Sequence, residues 1–170
     1  ADHSKNIAVY NNLIDYENAG FDSAGNGLCL QNPYQGPNLG KVTAANNIII
    51  GGRLDRIYHY MSNGIFLAGL KQCEIVNNYI YRTGQNAIQA YGLDGCLIQD
   101  NDFESTGGGG SPTVSINKTS NTIFRRNNWR ARPGLTINTQ SGFADHCGNG
   151  NRYEDNRVNG TPIPASSGCP

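Results

Sequence analysis

One short phrase recurs along this chain, and nothing constrains its folding more. Val-Tyr-Asn-Asn-Leu-Ile starts at Val9 and Ala-Ala-Asn-Asn-Ile-Ile at Ala44. Ile-Val-Asn-Asn-Tyr-Ile starts at Ile75, and Ile-Gln-Asp-Asn-Asp-Phe at Ile98. Phe-Arg-Arg-Asn-Asn-Trp starts at Phe124, and Tyr-Glu-Asp-Asn-Arg-Val at Tyr153. The six copies align without a gap on Asn12, Asn47, Asn78, Asn101, Asn127 and Asn156, at spacings of 35, 31, 23, 26 and 29 residues. Self-similarity at such a period marks a solenoid, in which each repeat buries its apolar face against the next.

The columns around the asparagine test the alignment. Three residues before it stand Val9, Ala44, Ile75, Ile98, Phe124 and Tyr153; two after it stand Ile14, Ile49, Ile80, Phe103, Trp129 and Val158. All are apolar or aromatic. Further upstream lie Ile7, Val42, Cys73, Cys96 and Thr122. This is alternation of period two, with one face of a strand buried. A further strand follows in most copies, with inward pairs Leu28/Leu30, Ile65/Leu67, Ile88/Ala90, Val114/Ile116 and Leu135/Ile137. Each repeat therefore supplies two or three short strands. Composition agrees: 23 asparagines and 22 glycines in 170 residues disfavour helices and favour turns. One domain over 1–170 is expected, with coils from about 4 to 160 and a tail at 161–170.

The repeat resembles that of the right-handed parallel β-helix, the fold of pectate lyases, alginate-modifying epimerases and phage tailspikes. The resemblance covers nearly the whole chain. It implies an all-β, single-stranded parallel β-helix of about six coils. It also implies that the six asparagines form an inward ladder at a turn between strands. There each amide bonds its neighbour and the backbone, so the role of these asparagines is structural.

Vertical neighbours about 4.8 Å apart follow from the alignment. Glu104 falls beside Arg130, Asp100 beside Arg126, Arg126 beside Asp155, and Arg125 beside Glu154. These charges are expected to pair across coils rather than to catalyse. Five cysteines leave at least one unpaired within the chain. Cys73 and Cys96 share an inward column, as a thiol pair or as a bridge, and free thiols are the preferred expectation. Cys147 and Cys169 are expected to bond and pin the tail; Cys29 points outward without a partner. No metal set is expected: Cys-x-x-Cys is absent, and His3, His59 and His146 lie far apart in the repeat.

Enzymes that the repeat resembles act on polysaccharides laid across the outer strands, often with calcium. The corresponding candidates are Arg53, Asp55, Arg56, His59 and Tyr60 in the segment from Gly51 to Asn63, with Arg82 on the next coil. Tyr58, Tyr60, Tyr79 and Tyr81 are candidates for stacking on sugar rings, and the arginines for pairing with uronate carboxylates. His59 or Tyr60 is placed to abstract a proton. The epimerases carry Tyr-Gly-Phe-Asp followed by Pro-His; here Gly20-Phe21-Asp22 is followed by Ser23 and Ala24, so catalysis is not carried onto Asp22. No outward column stacks three carboxylates, and about six coils span only roughly 25–30 Å. Calcium is therefore expected only if the chain is a lyase, and no other cofactor is expected.

Net charge is zero, with 13 basic and 13 acidic side chains, so nucleic acid is not an expected partner. No run approaches about 18 apolar residues, so no helix is expected to span a membrane. Nothing before the first coil is long enough to cap it, and Ala1 stands where an initiator methionine would. A removed leader or a longer parent chain is expected. Ile7, Leu13, Ile48 and Ile50 form a candidate interface, where an upstream domain or another copy covers the N-terminal coil. The expected function is a secreted structural β-solenoid that self-associates, end to end, into an extracellular assembly or filament, with enzymatic activity left open. The alternative is a polysaccharide-binding β-helix, or a polysaccharide lyase or epimerase acting on uronate polymers, as a fragment of a longer enzyme. A phage or surface adhesin module is the remaining class.

Overall fold

The computed structural model describes residues 6–16, 25–32, 41–51, 62–104, 114–130, 143–146, 149–162 and 166–167. Its described residues form strands and turns, arranged as three sheets. The first contains β1 (Ile7–Tyr10), β4 (Val42–Ala45), β7 (Glu74–Val76), β10 (Leu97–Gln99), β13 (Ile123–Arg125) and β16 (Arg152–Glu154). The second contains β2 (Leu13–Asp15), β5 (Ile48–Ile50), β8 (Tyr79–Tyr81), β11 (Asp102–Glu104), β14 (Asn128–Arg130), β17 (Arg157–Val158) and β18 (Thr161–Pro162). The third contains β3 (Asn26–Gln31), β6 (Asn63–Ala68), β9 (Asn86–Tyr91), β12 (Val114–Asn117), β15 (Phe143–His146) and β19 (Ser166–Ser167). The chain visits the three in turn, and neighbours within a sheet run parallel, except that β18 returns antiparallel on β17.

Register follows the repeat. Ile14 faces Ile49, Ile49 faces Ile80, Ile80 faces Phe103, Phe103 faces Trp129 and Trp129 faces Val158. From Ile49 to Trp129 these side chains are at most 2% exposed. Ile75, Ile98 and Phe124 close the core from the first sheet, and Ile65, Leu67, Ile88 and Ile116 from the third. Full burial of each large side chain is worth about 1.5–3 kcal/mol. The first coil differs: Ile7, Val9, Ile14, Leu28 and Leu30 pack on the core but are only partly buried.

The asparagines occupy the turn from the first sheet to the second. Asn47, Asn78, Asn101, Asn127 and Asn156 are 0–2% exposed. Each ladder oxygen accepts twice from the coil before it. Asn78 donates to Asn101 Oδ1 from its backbone N–H (3.0 Å) and its Nδ2 (2.9 Å), and Asn101 donates likewise to Asn127 Oδ1 (3.1 and 2.9 Å). Each Nδ2 also reaches back one coil to a backbone carbonyl, as from Asn101 to Ile75 (2.9 Å) and from Asn127 to Ile98 (2.9 Å). One amide thus satisfies a bend in which no strand partner exists.

The residue before each ladder asparagine is left-handed: Asn11, Asn46, Asn77, Asp100, Arg126 and Asp155 have φ of 50–57°. Asn and Asp tolerate that region better than other side chains. The first asparagine of the Asn-Asn doublet therefore has a physical reason that the ladder alone does not supply. Arg126 is the exception, and two hydrogen bonds of 2.8 Å to Asp100 hold it.

Three expectations are corrected. Cys73 and Cys96 are bridged, with Cα atoms 4.5 Å apart, rather than free thiols, because the parallel register stacks them on adjacent coils at disulfide range. The strand beside β12 is Phe143–His146, where Leu135/Ile137 was expected; its Asp145 sits opposite Ile116 and breaks the apolar alternation that marks the other copies. Residues 131–142 lie outside the described residues. Of the charge pairs, Asp100–Arg126 (2.8 Å) and Glu104–Arg130 (4.0 Å) form as expected, and Arg130 also bonds Asp102, which was not. Glu154 pairs with Arg152 on its own strand instead of Arg125, which donates to Gln99. Asp155, one coil on, adds a favourable charge interaction to Arg126. Such exposed pairs add about 0–1 kcal/mol each.

Candidate functional site

Two surfaces carry the chemistry. The first is the outer face of the second sheet. One outward column runs Leu13, Ile48, Tyr79, Asp102, Asn128, Arg157, and the next runs Asp15, Ile50, Tyr81, Glu104, Arg130. The first passes from apolar to charged; the second does so only from Ile50 onward, after Asp15. Leu13 is 65% exposed and Ile48 45%, so the apolar end faces solvent. Ile50 is half-buried.

At the junction Tyr79 and Tyr81 hold their rings parallel, with centroids 6.5 Å apart and planes 5° from each other. The Tyr79 hydroxyl donates to Glu104 Oε2 at 2.8 Å. Burial first, and then that hydrogen bond, push the Tyr79 phenol up to about 12. Tyr79 is therefore a neutral donor at ordinary pH and not a base. Arg130 donates to Asp102 through two nitrogens, which fixes the guanidinium over the same face. Tyr81 is 9% exposed and offers a ligand little of its ring. Arg82 is half-buried and lies in the left-handed region at φ 53°.

Of the candidates named from sequence, Tyr79, Tyr81 and Arg82 follow one another on a single coil. Arg53, Asp55, Arg56, Tyr58, His59 and Tyr60 lie outside the described residues, as do Cys147 and Cys169. Asp102, Glu104 and Arg130 join the tyrosines, although Glu104 and Arg130 were expected only to pair with each other and no role was expected of Asp102. The signal was present in the register, which sets Asp102 beside Tyr79 and Glu104 beside Tyr81. Cys29 is free and exposed. Among the described residues no three His, Cys, Asp or Glu side chains converge to hold a metal ion, and no helix is long and apolar enough to cross a membrane.

The second surface is the outer edge of the first coil. Ile7 and Asn11 donate their N–H groups inward to the Lys41 and Ala45 carbonyls, at 3.1 and 3.2 Å. Alternation along a parallel strand then turns the N–H groups of Ala8 and Tyr10 the opposite way. Asn12 donates to Asn47 (3.1 and 2.9 Å), but its own side-chain oxygen receives no hydrogen bond from the described residues. Every other ladder oxygen receives two. Tyr10, 49% exposed, lies at the rim of this edge.

Comparison with known proteins bears on the scaffold. The family model for the right-handed beta helix region matches residues 63–168, well over half the chain. No curated protein and no solved structure matches it. Parallel three-sheet coils, an inward amide ladder and that match together place the chain in the right-handed β-helix family.

Proposed function

We propose that the protein is a secreted structural β-solenoid that self-associates end to end, through the edge of its first coil, into an extracellular assembly. The observation that carries this is the edge of the first coil, which no other described strand covers: outward N–H groups of β1, a ladder oxygen on Asn12 that accepts nothing from the described residues, and half-buried aliphatic side chains behind them. Strand edges of this kind are templates for pairing with another chain. A second coil laid there buries the Ile7, Val9, Ile14, Leu28 and Leu30 layer at about 25 cal/mol per Å² of apolar surface. The zero net charge offers little repulsion against such contact. The Cys73–Cys96 bridge supports the extracellular placement, because disulfides persist in oxidising compartments.

Sedimentation of the chain at micromolar concentration is expected to give a species of at least twice its mass. Ala8→Pro removes an edge N–H without touching the bonds to β4. It should weaken association about tenfold, or roughly 1.4 kcal/mol. A chain that stays monomeric at every concentration contradicts the proposal.

A second function has its own support, polysaccharide binding of the lyase or epimerase type. The half-buried Tyr79 ring beside Asp102, Glu104 and Arg130 favours it. Calcium enters only with a lyase. Titration with uronate oligomers, followed by tyrosine fluorescence, decides: a saturable change supports it, and a flat signal in wild type removes it.

A further inference from the structure

Asparagine is followed by glycine at Asn26, Asn63, Asn149 and Asn159. A glycine there has no side chain to shield its amide nitrogen from the asparagine Cγ one residue back. The fold treats the four steps differently. Asn26 and Asn63 lie in β3 and β6, in register with each other. Asn63 is 5% exposed, and its Nδ2 donates to Asn26 Oδ1 (2.8 Å) and to Gln89 Oε1 (3.1 Å). A β-carbon on Gly64 would stand 2.5 Å from the Ile80 side chain and 2.7 Å from the Ala87 carbonyl oxygen, so the chain beside Asn63 is wedged in place. Asn149 is exposed, but its carbonyl accepts the Asn121 N–H (2.9 Å). A β-carbon on Gly150 would stand 2.7 Å from the Asn121 amide oxygen.

The fourth step has room. Asn159 and Gly160 form the two-residue loop between β17 and β18, at φ 48° and 80°, and both are exposed. Nothing lies within 4 Å of the place a β-carbon on Gly160 would take. The Gly160 N–H has no acceptor among the described residues. The loop is held by other atoms: Arg157 Nη1 donates to the Gly160 carbonyl (3.1 Å), and the Asn159 N–H donates to the Trp129 carbonyl (2.8 Å). Neither bond occupies the Gly160 nitrogen.

We propose that Asn159 is a site of spontaneous deamidation, where the folded chain exchanges a neutral amide for a carboxylate while Asn26, Asn63 and Asn149 keep theirs. Solvent base takes the Gly160 amide proton, and the nitrogen attacks Asn159 Cγ. The five-membered succinimide closes as Nδ2 leaves as ammonia. Water then opens the ring at either carbonyl, giving aspartate or isoaspartate. One water enters and one ammonia departs, with no change of oxidation state. The new carboxylate lies near the Arg157 guanidinium and adds one negative charge to a chain whose net charge is zero. The isoaspartate product lengthens the main chain by one carbon inside the two-residue loop, which then no longer fits the pairing of Val158 with Thr161. This chemistry stands apart from the self-association proposed above.

The test follows the full chain in mildly alkaline buffer, folded and, in parallel, unfolded in guanidinium. Each sample is then reduced, cleaved and sequenced by tandem mass spectrometry. Conversion reads as a gain of about 1 Da at the asparagine. In the folded chain Asn159 is expected to convert at least about tenfold faster than Asn26, Asn63 or Asn149. In the unfolded chain the four rates should draw together. Asn159→Gln, whose extra methylene disfavours closure of the ring, should keep its isoelectric point while the wild type turns more acidic. Equal rates at the four steps of the folded chain would overturn the proposal. So would an Asn159 that converts only when unfolded, or an Asn159→Gln chain that acidifies as fast as the wild type.

Discussion

Asn101→Leu is expected to remove about 3–5 kcal/mol of stability, read as a fall in the urea midpoint at unchanged slope. Asn101 is 1% exposed and answers four groups: the Asn78 N–H, the Asn78 amide, the Ile75 carbonyl and the Asn127 oxygen. Leucine branches at the same carbon, is somewhat larger, and answers none of them. Each buried group left without a partner costs about 1–3 kcal/mol, and partial rearrangement keeps the total below the simple sum. Asn12→Leu is the internal control. Asn12 is exposed and sits at the end of the ladder, so its loss should be about 1 kcal/mol or less. Equal losses at the two positions would mean that the ladder does not act as a buried network.

Replacing both Cys73 and Cys96 by alanine is expected to cost about 3–4 kcal/mol. The bridge closes a sequence separation of 23, for which chain-entropy arguments give about 3 kcal/mol. The Cys73 N–H also loses the Cys96 sulfur as its acceptor (3.1 Å). Peptide mapping of native material without reductant should recover the two segments joined. Free thiols at both positions, with no change in stability on adding reductant, would contradict this.

Much of the scaffold was legible because a parallel solenoid ties sequence register to spatial register. Once Asn12, Asn47, Asn78, Asn101, Asn127 and Asn156 were aligned, the inward column from Ile14 to Val158 followed. A slip of one residue would have turned Ile80 or Trp129 to solvent. What alignment does not give is the reach of long side chains. It places Arg130 beside Glu104, but the guanidinium crosses to Asp102, a diagonal neighbour within range of so long a side chain. The Tyr79–Glu104 hydrogen bond is diagonal for the same reason. Nor does it separate a thiol pair from a bridge, since one coil spacing suits both. The strand Phe143–His146 was missed because its Asp145 interrupts the only pattern that marks a strand in this sequence. The site was legible at Tyr79 and Tyr81 through their column, and incomplete because Glu104 and Arg130 were expected only to pair with each other and Asp102 carried no expectation.

The claim that the first-coil edge is where the protein meets its partner is tested most directly by amide hydrogen exchange, resolved by residue, over a range of protein concentrations. The Ala8 and Tyr10 N–H groups face away from β4, so in a lone chain they should exchange quickly. They are predicted to become protected as concentration rises, while amides of Thr161 and the turn at Asn159 and Gly160 keep their rates. Ala8 and Tyr10 exchanging at one fast rate at every concentration would contradict the account.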